Sequence, residues 1–281
     1  MNNKCCDLHT HSYCSDGSYT PAQLIDTAVR CGLSAIALTD HNTTAGLHKF
    51  LAAAEARGIE AIPGVEFSTD YGETELHIVA LFVQPQHYEA IERFVLPMKQ
   101  NKERSNRTLI ESLNRAGYAL DYDEIMARSG GQINRSHVAI ALTEKGYTTS
   151  IAEAFTTVLS KQAGHYQQPL RLPVLDTIDF IKSIGAVAIW AHPFLDLKEQ
   201  AVRAFLEQAI PHGLDAIETR YSTYSKETEQ NAIDLAEEYG ILQSGGSDFH
   251  GKSKPTISLG TGEGSLRVPY ELLQQLKTKI S

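Results

Sequence analysis

Short apolar runs alternate with longer amphipathic stretches along both arms of the chain. The runs at residues 4–8, 34–39 and 59–67 read as strands, and the stretches at 20–31 and 44–57 between them read as helices. Thr20-Pro21-Ala22-Gln23 opens the first helix. Thr20 is expected as the N-cap, Pro21 at the first helical position and Gln23 as the partner in a capping box. Gly32 and Gly58 stop the two helices. Strand, helix, strand, helix, strand implies a parallel sheet with right-handed crossovers.

The rhythm then breaks. Only Phe67–Thr74 separates the third strand from the next apolar run at 75–83, too little chain for a crossover helix. A hairpin is expected, and it brings His77 near Glu66. From about residue 87 to 172 the strand signal fades, leaving helical stretches at 88–115, 122–128, 136–145 and 151–160. The alternation resumes with helices at 174–183, 198–210, 226–239 and 270–280, and strands at 186–190, 214–219 and 240–244. The expected fold is an α/β barrel of seven strands with an inserted helical subdomain. Residues 1–86 and 173–281 form one discontinuous domain and 87–172 a helical cap, and such insertions commonly cover an active site.

The 281 residues, 42% hydrophobic and 21% charged, have an ordinary globular composition. No uncharged apolar stretch approaches the ~18 residues of a membrane span. The start of the chain shows no signal-peptide pattern. Cys5, Cys6, Cys14 and Cys31 include no CxxC pair and read as reduced thiols of a cytoplasmic protein. A net charge of −9 argues against coating extended duplex nucleic acid but not against a phosphorylated substrate.

The candidate chemistry lies where strands end. His9, His11 and Asp16 follow the first strand, Asp40 and His41 the second, and Glu66 sits in the third. His77 lies at the return, His192 follows the fifth strand, and Asp248 and His250 follow the last. On an extended strand, side chains two residues apart share a face at a spacing of roughly 6.6 Å, so His9 and His11 aim at one region. Histidines and carboxylates gathered at carboxyl ends of strands point to divalent metal chemistry.

Asp7-Leu8-His9-Thr10-His11-Ser12 with Ser15-Asp16-Gly17, Thr39-Asp40-His41-Asn42, Gly64-Val65-Glu66, Ala191-His192-Pro193 and Gly246-Ser247-Asp248-Phe249-His250 resemble the motifs of the PHP (polymerase and histidinol phosphatase) phosphoesterases. The resemblance implies a distorted (β/α)7 barrel holding two or three divalent cations. His9, His11, Glu66 and Asp248 would hold one, Glu66, His77 and His192 a second, and Asp16, His41 and His250 a third. Asp40 would orient a ligand rather than be one. The histidine and carboxylate set, free of thiolate, suits Mn, Fe or Zn. Asp16, His192 and Asp248 are the candidate catalytic groups, with His192 or Asp248 assisting protonation of the leaving oxygen.

The inserted segment is similar to that of PHP proteins acting on nucleoside 3′,5′-bisphosphates and short RNA 5′ ends. That resemblance makes Arg135 and His137 candidate phosphate contacts, with Lys161 and Tyr166 as further substrate-binding candidates. It implies a metal-dependent phosphoesterase that hydrolyses a phosphate monoester of a nucleotide or short oligonucleotide with metal-activated water. The alternatives are a histidinol phosphatase and a non-catalytic PHP metal-binding module.

Overall fold

A computed structural model of the protein describes residues 4–129, 133–166, 168–195 and 197–280. It divides into two compact units, residues 1–93 with 172–281 and residues 94–171.

In the first unit β1 (Cys5–Asp7), α1 (Pro21–Arg30), β2 (Ala35–Leu38), α2 (Leu47–Arg57) and β3 (Glu60–Tyr71) form a parallel beginning. The Thr20 hydroxyl accepts from the Gln23 N–H, and the Gln23 side chain accepts from the Thr20 N–H, so both halves of the capping box form. Helix α2 starts at Leu47 rather than at residue 44. The Thr44 N–H and hydroxyl both donate to the Glu92 carboxylate, which holds that segment out of the helix.

Strand β3 runs on past Phe67 and turns at Gly72 into β4 (Thr74–Leu81), antiparallel to it. The chain then enters α3 (Tyr88–Arg115), followed by α4 (Tyr122–Arg128), α5 (Arg135–Glu144) and α6 (Ile151–Thr156). After β5 (Leu172–Pro173) come α7 (Val174–Ser183), β6 (Val187–Trp190), α8 (Glu199–Ala209), β7 (Ala216–Tyr221), α9 (Lys226–Tyr239), β8 (Leu242–Gly246), β9 (Val268–Pro269) and α10 (Tyr270–Lys277).

The sheet order is β8-β7-β6-β4-β3-β2-β1-β9, with β5 added to β3. It curls until its ends nearly meet, giving the distorted barrel of seven longer strands plus the two-residue β5 and β9. Across the seam the Leu8 N–H donates to the Gly245 carbonyl at 3.2 Å, the Asp248 N–H to the His9 carbonyl at 2.8 Å and the His11 N–H to the Phe249 carbonyl at 2.9 Å. Gly246 is required there, because a Cβ on it would lie 2.3 Å from the His9 Cβ. Leu8, Ala37, Ile62, Val79, Leu81, Ile189 and Ala216 belong to the buried core of this unit.

The second unit has its own core, built on Leu109, Leu113, Ile125, Val138, Leu142 and Leu159. The boundary falls at residue 94 rather than 87. Helix α3 is unbroken, and its first turns belong to the barrel unit through buried Ile91 and the Glu92 contacts to Thr43 and Thr44.

Candidate metal centre

The site is built around one buried carboxylate. Glu66 is 1% exposed and lies in β3 just past its parallel pairing with β2, where its N–H donates to the Thr39 carbonyl at 3.2 Å. Five imidazoles surround it. Its Oε2 is 3.2 Å from His9 Nε2, 3.1 Å from His11 Nε2 and 3.1 Å from His41 Nδ1. Its Oε1 is 2.9 Å from His77 Nδ1 and 3.4 Å from His192 Nε2.

The hairpin supplies His77 by register. Glu66 pairs with Val79 and Ser68 with His77, which makes Glu66 and His77 diagonal neighbours on one face. The loop after β1 brings Asp16, whose Oδ1 is 3.1 Å from His250 Nε2 and whose Oδ2 is 3.8 Å from His41 Nε2. Asp248 Oδ1 faces His11 Nε2 at 3.2 Å, His250 Nδ1 at 3.4 Å and His9 Nε2 at 3.7 Å. All nine residues singled out as ligands therefore converge.

Their compact groups are His9, His11 and Glu66, then His41, Glu66 and His77, then His11, Asp16, His41 and His250. His11 and His41 each serve two groups. His192 and Asp248 flank these groups, His192 from the Glu66 side and Asp248 beside His11.

The arrangement lacks something positive. Both carboxylate oxygens of Glu66, and Nδ1 of His11 and of His41, are buried without a hydrogen bond of acceptable geometry, close as their neighbours are. His9 Nε2 and His11 Nε2 face each other at 3.1 Å. Buried polar atoms left this way cost about 1–3 kcal/mol each, and lone pairs converging from nitrogen and oxygen are what a divalent cation satisfies. The donor set fits a metal.

The protonation preferences agree. Burial alone would lower the His11 and His77 pKa values, but neighbouring carboxylates override it. His11 is pushed up to about 9 by Asp248 and Glu66, and His77 to about 10 by Glu66 and Glu75. His9 is raised well above the ordinary value in the same way, against its burial, by Glu66, Glu218 and Asp248. His41 is pushed down to about 3, because its burial outweighs the attraction of Glu66 and Asp16. Burial opposes ionisation of Glu66 and Asp248, yet the histidines hold both far below the usual carboxylate range.

Other residues brace the cage. Asp40 accepts from the Ser12 N–H at 2.7 Å, the Ser12 hydroxyl at 2.6 Å and the Ser15 hydroxyl at 2.7 Å. It thus fixes the loop between His11 and Asp16 instead of touching a histidine nitrogen. Asp7 does the same for the last strand, accepting from the Ser247 N–H and hydroxyl at 2.8 and 2.6 Å and from the Gly260 N–H at 2.8 Å.

Glu218 on β7 drew no attention in the sequence. Its Oε1 accepts from His9 Nδ1 at 2.8 Å and its Oε2 from the His192 N–H at 2.8 Å. Tyr221 and Lys254 were missed as well. Both donate to Asp248 Oδ2, at 2.8 and 2.6 Å. Only the acidic residue standing alone in a strand otherwise apolar up to that point (Ala216-Ile217-Glu218) offered a clue.

Backbone strain marks the same place. Of the four non-glycine residues at positive φ among those described, His192 (φ 34°), Asp248 (φ 53°) and Asn42 (φ 55°) lie at or beside the cage and Phe82 (φ 65°) follows β4; each costs roughly 1–3 kcal/mol.

Arg135, His137, Lys161 and Tyr166 belong to the second unit. The Arg135 guanidinium lies 4.5 Å from the Tyr166 ring centroid and 5.6 Å from that of Phe155. His137 Nδ1 accepts from the Asn134 N–H at 3.1 Å as part of the α5 cap. A neutral His137 therefore carries its proton on Nε2. Lys161 is exposed in a short helical turn.

The PHP domain model matches residues 7–171, more than half of the chain. The chain belongs to the PHP domain family. A 5′-3′ exoribonuclease Rnm of Salmonella typhimurium is 31% identical over 90% of this PHP chain and 87% of its own length. A 3′,5′-nucleoside bisphosphate phosphatase of Chromobacterium violaceum is 28% identical over 98% of this chain and 97% of its own. Among solved structures, a Bifidobacterium adolescentis protein assigned as a metal-dependent phosphoesterase superposes with a TM-score of 0.83 at 25% identity. The match covers 99% of this chain and 97% of the other. The PHP fold and the strand-end cluster thus stand together.

Proposed function

We propose that this PHP protein is a phosphoesterase working with two or three divalent cations, Mn, Fe or Zn. In this reading it removes a phosphate from a nucleoside 3′,5′-bisphosphate or hydrolyses at the 5′ end of a short oligonucleotide. The observation that carries the reading is the buried Glu66 carboxylate ringed by five imidazoles and left without a hydrogen bond. Relatives named for a nucleotide bisphosphate and for RNA, each aligned over most of its length, support the substrate class.

His9, His11, His41, Glu66, His77, His192, Asp248, Asp16 and His250 would hold the cations. Bound cations supply an activated water at neutral pH and stabilise charge on the transferring phosphoryl oxygens. The chain's own residues orient and hold. Glu218 fixes the tautomer of His9, presenting the bare Nε2 to the centre. The histidines hold the Asp16 and Asp248 carboxyls well below their usual range, which suits holding a cation, and His192 or Asp248 would assist protonation of the leaving oxygen. Arg135 and the Nε2–H of His137 offer a planar guanidinium fork and a neutral donor for a second phosphate, and Tyr166 an aromatic face. Lys161 adds positive charge nearby in the chain.

No described helix is long and apolar enough to cross a membrane. Cys5, Cys6, Cys14 and Cys31 form no disulfide among the described residues, in accord with the cytoplasm.

The test is phosphate release by Mn²⁺-loaded protein from mononucleotides, 3′,5′-bisphosphates, 5′-phosphorylated short RNAs and histidinol phosphate. Turnover of the bisphosphate or RNA is expected. Histidinol phosphate alone, or no turnover with metal content verified, would overturn it.

A further inference from the structure

Beside the cage is a cleft of about 600 Å³, counting the solvent at its mouth, walled by His41, Glu66, His77, His192 and Asp248. Among its lining residues Lys254 alone carries an ammonium or guanidinium group. We propose that Lys254 is the protein's own cation for the substrate's phosphoryl group. It binds a non-bridging oxygen on the side of the phosphate facing Asp248. This rests on the phosphoesterase reading above.

The placement is specific. Asp248 divides its two oxygens: Oδ1 faces the histidine nitrogens, and Oδ2 accepts from Lys254 Nζ at 2.6 Å and Tyr221 Oη at 2.8 Å. The ammonium therefore stands one carboxylate away from the ligand cage. One N–H is engaged by Asp248, and the side chain stays 42% exposed at the cleft, leaving further N–H groups to face a bound anion.

Its loop is fixed in advance. The Lys252 N–H donates to the Ser18 hydroxyl at 2.7 Å, the Ser253 hydroxyl to the Asp16 carbonyl at 3.0 Å and the Lys254 N–H to the Gly251 carbonyl at 3.2 Å. Gly251, at φ 65°, packs so tightly on Ser18 and Tyr19 that a Cβ would meet the Ser18 hydroxyl at 2.3 Å. The same staple holds Asp16, so the loop bearing a candidate ligand and the loop bearing Lys254 are one assembly.

Charge on a transferring phosphoryl group spreads over three oxygens, and a positioned donor that needs no reorganisation is worth ~10²–10³ in rate.

The experiment compares wild type, Lys254→Met and Lys254→Arg as Mn²⁺-loaded enzymes on 4-nitrophenyl phosphate and adenosine 3′,5′-bisphosphate. Metal content is measured alongside, and inorganic phosphate is titrated calorimetrically. Lys254→Met should keep its metal, lose roughly 10²-fold in kcat/KM on both substrates and bind phosphate at least tenfold more weakly. Lys254→Arg should recover part of each.

Three results would overturn the proposal: phosphate binding unchanged in Lys254→Met, a loss confined to the nucleotide with its poorer leaving group, or a drop in metal content that accounts for the loss. If wild type turns over neither substrate, the phosphoesterase reading falls by itself, and the phosphate titration still decides Lys254.

Discussion

Glu218→Gln is the sharpest perturbation of the cage that leaves every candidate ligand in place. Glu218 is 1% exposed and makes two hydrogen bonds of 2.8 Å, one to a ring nitrogen of His9 and one to the backbone of strained His192. Glutamine has the same shape but only one acceptor oxygen. If that oxygen keeps the His192 N–H, the amide NH₂ confronts His9 Nδ1–H. The ring escapes by moving its proton to Nε2, the atom 3.2 Å from Glu66 and 3.1 Å from His11. A protonated Nε2 has no lone pair for a metal.

Loss of such an orienting carboxylate typically weakens metal affinity 10–100-fold, about 1.4–2.7 kcal/mol. Competition with a chromophoric chelator measures it, and differential scanning fluorimetry with and without Mn²⁺ separates site from fold. The metal-free melting temperature should move little, while the metal-induced rise shrinks. Glu218→Ala should lower both, because the buried His192 N–H then lacks an acceptor at about 1–3 kcal/mol. A glutamine variant holding Mn²⁺ as tightly as wild type would refute the reasoning.

Metal uptake should release protons. His11 and His77, pushed to about 9 and about 10 by carboxylates that override their burial, each keep a proton at pH 7.5 in the metal-free protein. Affinity should therefore rise with pH through about 9 and about 10 as these two protons are lost, with His9, raised in the same way, adding to the release. Titration calorimetry in two buffers of different ionisation enthalpy checks this, and buffer-independent heats would contradict it. Glu66→Gln should forfeit most bound metal by elemental analysis, since the central oxygens shared by five histidines become an amide. Gly246→Ala should destabilise by ~1–3 kcal/mol or more through its collision with His9 across the seam, read as a lowered melting temperature. Arg135→Ala should raise KM for a 3′,5′-bisphosphate without altering metal content.

What the chain declares openly is what repeats at strand ends. His9, His11, His41 and His250 were legible because each sits where an apolar run stops, and Glu66 as a lone acid within one, a pattern set by local chemistry. His77 was reachable through one geometric step, since a connection too short for a helix forces an antiparallel return. Glu218, Asp7, Tyr221 and Lys254 were hidden for the opposite reason. Their partners lie 209, 240, 27 and 6 positions away, and a lone polar residue in or after a strand looks the same whether it faces water or a histidine.

The same limit explains the start of α2, which depends on Glu92 rather than on its own residues. It also explains the two-residue β5 and β9, too brief to have a period. A helix pattern likewise says nothing about which turns rest on which core, and the two units divide within α3 at residue 94.

The seam between β1 and β8 has a consequence for how this protein is born. His9 leaves the ribosome early, but its neighbours Glu218, Asp248 and the Gly246 backbone emerge more than two hundred residues later. Until then a nascent chain holds only His9, His11, Asp16, His41, Glu66 and His77 of the nine, on a sheet not yet closed. Completion of the cage by His192, Asp248 and His250 is then the last act of folding, timed by the arrival of the carboxyl-terminal third.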